Sequence, residues 1–305
     1  MLTLAGVWSY DSVDLADKVG SGLDFDELRT VAVRVACEAA EQVRLSRGSA
    51  VARLDAASVD TKSTETDVVT AADKAAERLV RSRLAELRPG EPVLGEEEGG
   101  DAADRGGLCW VVDPIDGTVN YLYGYPWYGV SLAAQVGGVS VAGAVVEPAT
   151  GRVWSAARGH GAELDGLPLR VSAASRLDLA LVATGFAYSA QRRLRQAAFV
   201  GRLLGRVRDI RRAGAASLDL CAVAAGWVDG YVEHGLNRWD WAAGALIAQE
   251  AGAVIRLPRS VASPGYGDVP GDLPDDLPDD VVLAVAPGVA AALRDALLEC
   301  GIGEV

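Results

Sequence analysis

Two apolar runs, 128–136 and 139–146, are separated by nothing but Gly137-Gly138. A Gly-Gly pair between strand-like runs signals a tight antiparallel hairpin. A chain with this feature at its centre has to build a sheet around it. Shorter apolar runs at 92–94, 108–112 and 152–156 are expected to extend that sheet. Two helices are expected ahead of it. One spans 25–47, where Leu28, Val31, Val35, Ala39 and Val43 recur at three- and four-residue steps. The other spans 71–87, with Thr70 as N-cap and Pro89-Gly90 as its stop.

The second half alternates differently. Helices are expected at 190–204, 215–225, 239–251 and 287–298, with strands at 206–210, 230–233, near Val254 and at 281–285. The pattern reads as an α/β protein in which an antiparallel-rich α+β lobe (about 24–175) precedes an α/β lobe (about 176–300). Both belong to one domain, 24–300, preceded by a loosely structured leader, 1–23. The segment 260–280, rich in Asp and Pro, reads as an exposed loop. A length of 305 residues, half of them hydrophobic, suits one large domain or two closely packed lobes.

The 29 basic and 42 acidic residues leave a net charge of −13. Sequence-independent binding to nucleic acid or to an anionic membrane is not expected from such a chain. A site that concentrates cations is. No apolar segment approaches the roughly 20 residues of a membrane span, and the N-terminus reads as no signal peptide. The scattered Cys37, Cys109, Cys221 and Cys300 read as free thiols of a cytoplasmic protein. His160 lies in a turn and reads as structural, while His234 is placed at the rim of the site. Two histidines are too few for a histidine metal centre, so any metal must be held by oxygen.

The segment most informative about chemistry is Trp110-Val-Val-Asp113-Pro-Ile-Asp116-Gly-Thr118-Val-Asn120. A buried strand is expected to end on Asp113, with Pro114 stopping the ladder. Asp113 and Asp116 can then converge on one hard cation, joined by the Ile115 carbonyl. The amides of Gly117 and Thr118, at a helix start, suit a phosphate. The plain alternative is an N-cap followed by a turn. Three other pieces have plain alternatives too. Gly95-Glu96-Glu97-Glu98 could be a solvated acidic loop. Asp240, in Trp239-Asp240-Trp-Ala-Ala-Gly244, could be a helix-start carboxylate. The 62–73 segment ending on Asp73 could be a capped helix start. If Glu96, Asp113, Asp116 and Asp240 converged, each pair near 4 Å would repel by about 4 kcal/mol at an effective dielectric near 20. Mg²⁺ ions would reverse that sign and equip the site for phosphoester hydrolysis.

These motifs, GEE at 95–97, WVVDPIDGTVNY at 110–121 and WDWAAG at 239–244, resemble those of the inositol monophosphatases, a branch of the lithium-sensitive, Mg²⁺-dependent phosphatases. The resemblance covers about 25–298 and looks most like the bacterial inositol-1-monophosphatases. It implies a layered αβαβα sandwich, shared with the fructose-bisphosphatases, and a homodimer. It implies two to three Mg²⁺ ions. Glu96, Asp113 and the Ile115 carbonyl would hold the first, and Asp113, Asp116 and Asp240 the second. Glu96 would share a weaker third. Asp73 and Thr118 would orient the attacking water, and Gly117 and Thr118 would donate to the phosphate. Glu233, with the backbone at Ala215 and Ala216, would face the inositol hydroxyls, in a substrate site bordered by Asp116 and Asp240. The implied reaction is hydrolysis of myo-inositol-1-phosphate by a metal-activated water.

Two positions depart from the family pattern: Ala215 replaces a usual Ser or Thr, and Tyr121 a usual Phe. Alternative substrates within the superfamily are histidinol phosphate, fructose bisphosphate and 3′-phosphoadenosine nucleotides. A regulatory, protein-binding role on the same fold is the alternative from another class.

Overall fold

The computed structural model describes residues 22–50, 59–61, 68–100, 107–258 and 276–305. The leader as far as 21, the 62–67 part of the upstream motif and the 259–275 part of the Asp/Pro-rich loop lie outside the described residues.

The chain opens with α1 (Phe25–Ala50), a short antiparallel pair of β1 (Val59–Thr61) and β2 (Val68–Thr70), and α2 (Ala71–Leu87). The strands that follow are β3 (Val93–Gly95), β4 (Leu108–Asp116), β5 (Gly129–Val136), β6 (Val139–Val146), β7 (Val153–Ala157), β8 (Gly161–Leu164) and β9 (Leu167–Pro168), with α3 (Thr118–Tyr123) between β4 and β5. The strands β3 to β9 form one seven-stranded sheet in sequential order. Its pairs are antiparallel except for parallel β3–β4. Gly137 and Gly138 turn the β5–β6 hairpin at φ 54° and 84°, the two positive values that a two-residue connection favours.

The second half contributes β10 (Leu181–Thr184), α4 (Ala190–Leu203), β11 (Asp209–Arg211), α5 (Ala216–Ala224), β12 (Gly230–His234), α6 (Arg238–Glu250), β13 (Val254–Arg256), β14 (Val281–Val285) and α7 (Ala290–Glu299). Its five-stranded sheet runs β11-β10-β12-β14-β13, parallel across the first three strands and antiparallel across the last three.

Strand periodicity sorts the apolar residues into layers. Trp110, Val112, Leu132 and Ala134 of the large sheet pack with Leu28, Val35, Val80 and Leu84 of α1 and α2. Val111 and Ala133, one residue out of step, pack instead with Leu218 and Leu220 of α5 and Leu246 and Ile247 of α6. Tyr231, Val282 and Ala284 of the small sheet close that middle layer from the other side. Val232, Leu283 and Val285 face away from it, onto Phe199 and Leu203 of α4 and Leu293 and Leu297 of α7. The order is helix, sheet, helix, sheet, helix, the αβαβα sandwich. Among the described residues no helix is long and apolar enough to cross a membrane.

Several boundaries differ from expectation. The β10 strand has no counterpart in the sequence reading. The expected 206–210 strand is β11, Asp209–Arg211. The last helix starts at Ala290 after a 3₁₀ turn at Pro287–Val289. The largest difference, in β4, shapes the site.

Candidate active site

Pro114 does not end the strand; β4 runs on to Asp116. Asp113 stands opposite Ser131 and Asp116 opposite Gly129, so three steps on β4 match two on β5. In a regular strand, residues three apart point to opposite faces. The extra residue is a bulge, and it puts Asp113 and Asp116 on the same face. Proline is tolerated at a bulge because its missing N–H breaks no ladder bond there. Asp113 Oδ1 accepts the Ile115 N–H at 3.0 Å, which closes the bulge on itself.

The other carboxylates come from neighbouring elements. Glu96 follows β3, and its N–H donates to the Val112 carbonyl at 3.3 Å. Asp240 sits in the first turn of α6, where its Oδ2 accepts the Asn237 N–H at 2.6 Å. Asp113 is pushed well above the usual carboxylate range by burial, then by the charges of Glu96, Asp116 and Asp240, and by a hydrogen bond with Glu96. Asp240 is pushed up by burial and by Glu96 and Asp116. Burial lifts Asp116 to about 6, against hydrogen bonds from Ser217 and Ala216 that favour its ionised form. These acids feel one another across the site.

Among the described residues no group of three or more His, Cys, Asp or Glu forms a ready-made metal cage. The carboxylates stand as mutually repelling neighbours. Their donor chemistry nonetheless fits a hard divalent cation, which takes oxygen ligands of this kind. The Ile115 carbonyl, beside the bulge, adds a neutral oxygen.

Asp116 is held by three hydrogen bonds from the start of α5. Its Oδ1 accepts the Ala216 N–H at 3.2 Å, and its Oδ2 accepts the Ser217 N–H at 2.7 Å and the Ser217 hydroxyl at 2.5 Å. The Ala216 amide thus faces a carboxylate, and Ala215 is the buried N-cap residue of α5. The role of Ser217 was not read from the sequence; a serine at a helix start was the available signal.

The Thr118 hydroxyl lies 3.1 Å from Asp73 Oδ1 and 3.1 Å from the Ile115 carbonyl. Asp73 comes from α2 and is fully buried. Gly117 adopts φ 89° ahead of α3. A Cβ there would lie 3.1 Å from both the Ala215 Cβ and the Trp127 carbonyl, so the close approach of the 214–215 loop needs a glycine. Asn120 ties the same loops together, donating to the carbonyls of Trp127 at 2.7 Å and Ala213 at 2.8 Å.

Glu233 lies within β12, as the expected 230–233 strand places it. It accepts the Tyr231 hydroxyl at 2.6 Å. Burial raises it to about 7; Tyr231 and the charge of Arg212 oppose the rise, and Asp116 adds to it. Asp219 of α5, also unread from the sequence, accepts the Trp127 indole N–H at 3.1 Å and is pushed well up by burial and by Glu233.

His234 corrects the expectation of a place at the rim. It alternates to the other face of β12, where its Nε2 lies 3.1 Å from the Ile302 carbonyl and its ring meets Phe199 edge-on. His160 Nδ1 lies 2.7 Å from Asp26, a structural contact. All four cysteines are free; Cys221 and Cys300 are buried, and Cys37 and Cys109 half-buried.

Residues 24–299 match the model of the inositol monophosphatase family. An inositol-1-monophosphatase of Mycobacterium leprae is 51% identical over 286 residues, covering 90% of this chain and 94% of that protein. A protein of Pseudomonas aeruginosa named Nus factor SuhB is 40% identical over 233 residues, 74% of this chain and 83% of that one. The solved structure of Mycobacterium tuberculosis SuhB superposes with a TM-score of 0.74 at 44% identity, covering 92% of this chain and 99% of that one.

Proposed function

The chain belongs to the inositol monophosphatase family, and from that premise we propose that it is a Mg²⁺-dependent phosphatase that hydrolyses myo-inositol-1-phosphate. The observation that carries this reading is the convergence of buried Asp113 with Glu96, Asp116 and Asp240, an arrangement of like charges that calls for cations. Glu96, Asp113, the Ile115 carbonyl, Asp116 and Asp240 would hold two to three ions. Bound Mg²⁺ would supply charge neutralisation on the phosphoryl oxygens, acidification of the attacking water and relief of charge on the leaving oxygen.

The protein's own groups do the rest. A hydroxyl has one proton to give. If Thr118 gives it to Asp73, its lone pairs remain for the water and the Ile115 carbonyl remains for a cation. The proton lost by the water then has a path through Thr118 to Asp73. The amides of Gly117 and Thr118 would orient the phosphate, and Glu233 would accept hydrogen bonds from the polyol. The four free thiols accord with a cytoplasmic location, and the homodimer is carried over from the family.

A panel of substrates tests this. Phosphate release from inositol-1-phosphate should exceed that from histidinol phosphate, fructose bisphosphate and adenosine 3′,5′-bisphosphate, and EDTA should abolish it. A second reading, regulation through a bound protein, draws on the relative named Nus factor SuhB. Inactivity on all four substrates would favour it.

A further inference from the structure

Asp73, Glu77 and Arg81 recur every four residues along α2, and so share one face of that helix. Asp73 meets Thr118 at the reaction centre. Glu77 is fully buried, and its carboxylate accepts four N–H groups. Two are consecutive amides of the turn that carries Glu96: Glu97 at 2.8 Å and Glu98 at 3.1 Å. The other two are Arg81 Nε at 2.9 Å and Nη2 at 2.7 Å. Arg81 in turn donates to the Val93 carbonyl at the start of β3, at 3.1 Å, and to the Gly99 carbonyl just past the turn, at 2.5 Å. Gly95 sits against the Glu77 carboxylate so closely that an added Cβ would fall onto it.

We propose that Glu77 and Arg81 are positioning residues: a buried clamp that fixes the Glu96 turn against the same helix face that carries Asp73. The inference rests on the reading of Glu96 as a Mg²⁺ ligand. A buried ion pair is weak evidence for stability, because apolar side chains of similar volume often pack as well. Apolar side chains could not accept two successive amides of a turn. This pair does, and the residue just ahead of those amides is the proposed ligand. The clamp sets the reach of Glu96 relative to Asp73 and Thr118, so it acts on the ion at Glu96 without touching substrate.

The test is calorimetric titration of the full-length protein with Mg²⁺ alone, with melting temperature and the separate kcat and KM for inositol-1-phosphate recorded alongside. Partners that orient metal ligands typically contribute about 10–100-fold in metal affinity. Glu77→Gln is expected to weaken Mg²⁺ binding by about that factor, with turnover largely restored at saturating Mg²⁺ because Asp73 and Thr118 are intact. Arg81→Gln separates position from charge. Loss of a nearby cation would by Coulomb's law tighten Mg²⁺ binding; loss of the clamp weakens it. In a Glu96→Gln background, Glu77→Gln should add no further loss of affinity. Should either clamp variant fail to fold, Arg81→Lys, which keeps the charge but not the fork of donors, carries the comparison and should also weaken binding. A lowered melting temperature with unchanged Mg²⁺ affinity, tighter binding in Arg81→Gln, or a loss additive with Glu96→Gln would overturn the inference. If Glu96→Gln alone leaves Mg²⁺ binding unchanged, the metal reading itself falls and the clamp with it. If Glu96→Gln weakens binding and Glu77→Gln does not, only the clamp falls.

Discussion

Ser217 directs two donors, its amide and its hydroxyl, at one oxygen of Asp116, at 2.7 and 2.5 Å. These bonds favour the ionised form of a carboxylate that burial would otherwise protonate more readily. Ser217→Ala removes the hydroxyl and leaves the amides. The Mg²⁺ concentration for half-maximal activity should rise about ten-fold, with KM for inositol-1-phosphate at saturating Mg²⁺ little changed. A Mg²⁺ activation curve that overlays the wild-type one would refute the role given to Ser217.

Asp113→Asn should abolish Mg²⁺-dependent phosphate release. Asp113 is the carboxylate proposed to bridge two ions, so its loss removes charge from both. Burial and like charges disfavour its ionised form, so the variant in EDTA should melt no lower than the wild type at pH 7.5. Wild-type turnover in a folded Asp113→Asn protein would sink the metal assignment.

Asp73→Asn should lower turnover by about 10²–10⁴-fold, the usual contribution of a positioned proton acceptor, while Mg²⁺ affinity by calorimetry stays within a few-fold of wild type. The opposite pattern, a large loss of affinity with saturated turnover intact, would make Asp73 a ligand.

Glu233 predicts a pH dependence of stability. Its ordinary value of 4.5 applies to the unfolded chain, and burial raises it to about 7 in the fold. Between those values the folded state holds a proton that the unfolded state has released, so stability falls as pH rises. The contribution is fully present below about 4.5 and lost above about 7; its size is of order 3 kcal/mol. Melting temperature in EDTA should fall from pH 5 to pH 8, and Glu233→Gln should flatten that slope. An unchanged slope in the variant would mean that Glu233 ionises freely.

Substrate discrimination gives Glu233 a separate test. Charge-assisted hydrogen bonds contribute about 1.5–3 kcal/mol each. Glu233→Gln should therefore lower kcat/KM for inositol-1-phosphate by tens-fold while p-nitrophenyl phosphate loses little. Equal losses on both substrates would move Glu233 into the phosphate machinery.

The sequence made the large elements and the four carboxylates legible for different reasons. The Thr70 start and Pro89-Gly90 stop of α2 and the Gly137-Gly138 turn are local signals, and both α2 and β6 stand at the expected residues. Asp113 and Asp116 were legible as a pair, but the bulge that turns them to one face was not, because it exists only relative to the register of β5. Pro114 read alone argues for a strand end; against a slipped partner it becomes permissible. Ser217 and Asp116 are far apart in sequence, and nothing near either one announces the other. Glu77 escaped notice because an acidic residue in a helix with a basic residue four positions on resembles an ordinary solvated pair. Only its complete burial and the amides aimed at it say otherwise.

The proposed reaction centre lies along a seam between layers. Asp113 and Asp116 ride on the large sheet, Ser217 and Asp240 start the two middle helices, and Asp73 reaches in from the outer helical layer. Each layer could keep its own hydrogen-bonded strands and turns while sliding by an ångström or two against the next, and the centre would then be dismantled with no element unfolded. Turnover in this protein therefore gauges how its slabs are docked, a property that circular dichroism and other measures of helix and strand content would pass over.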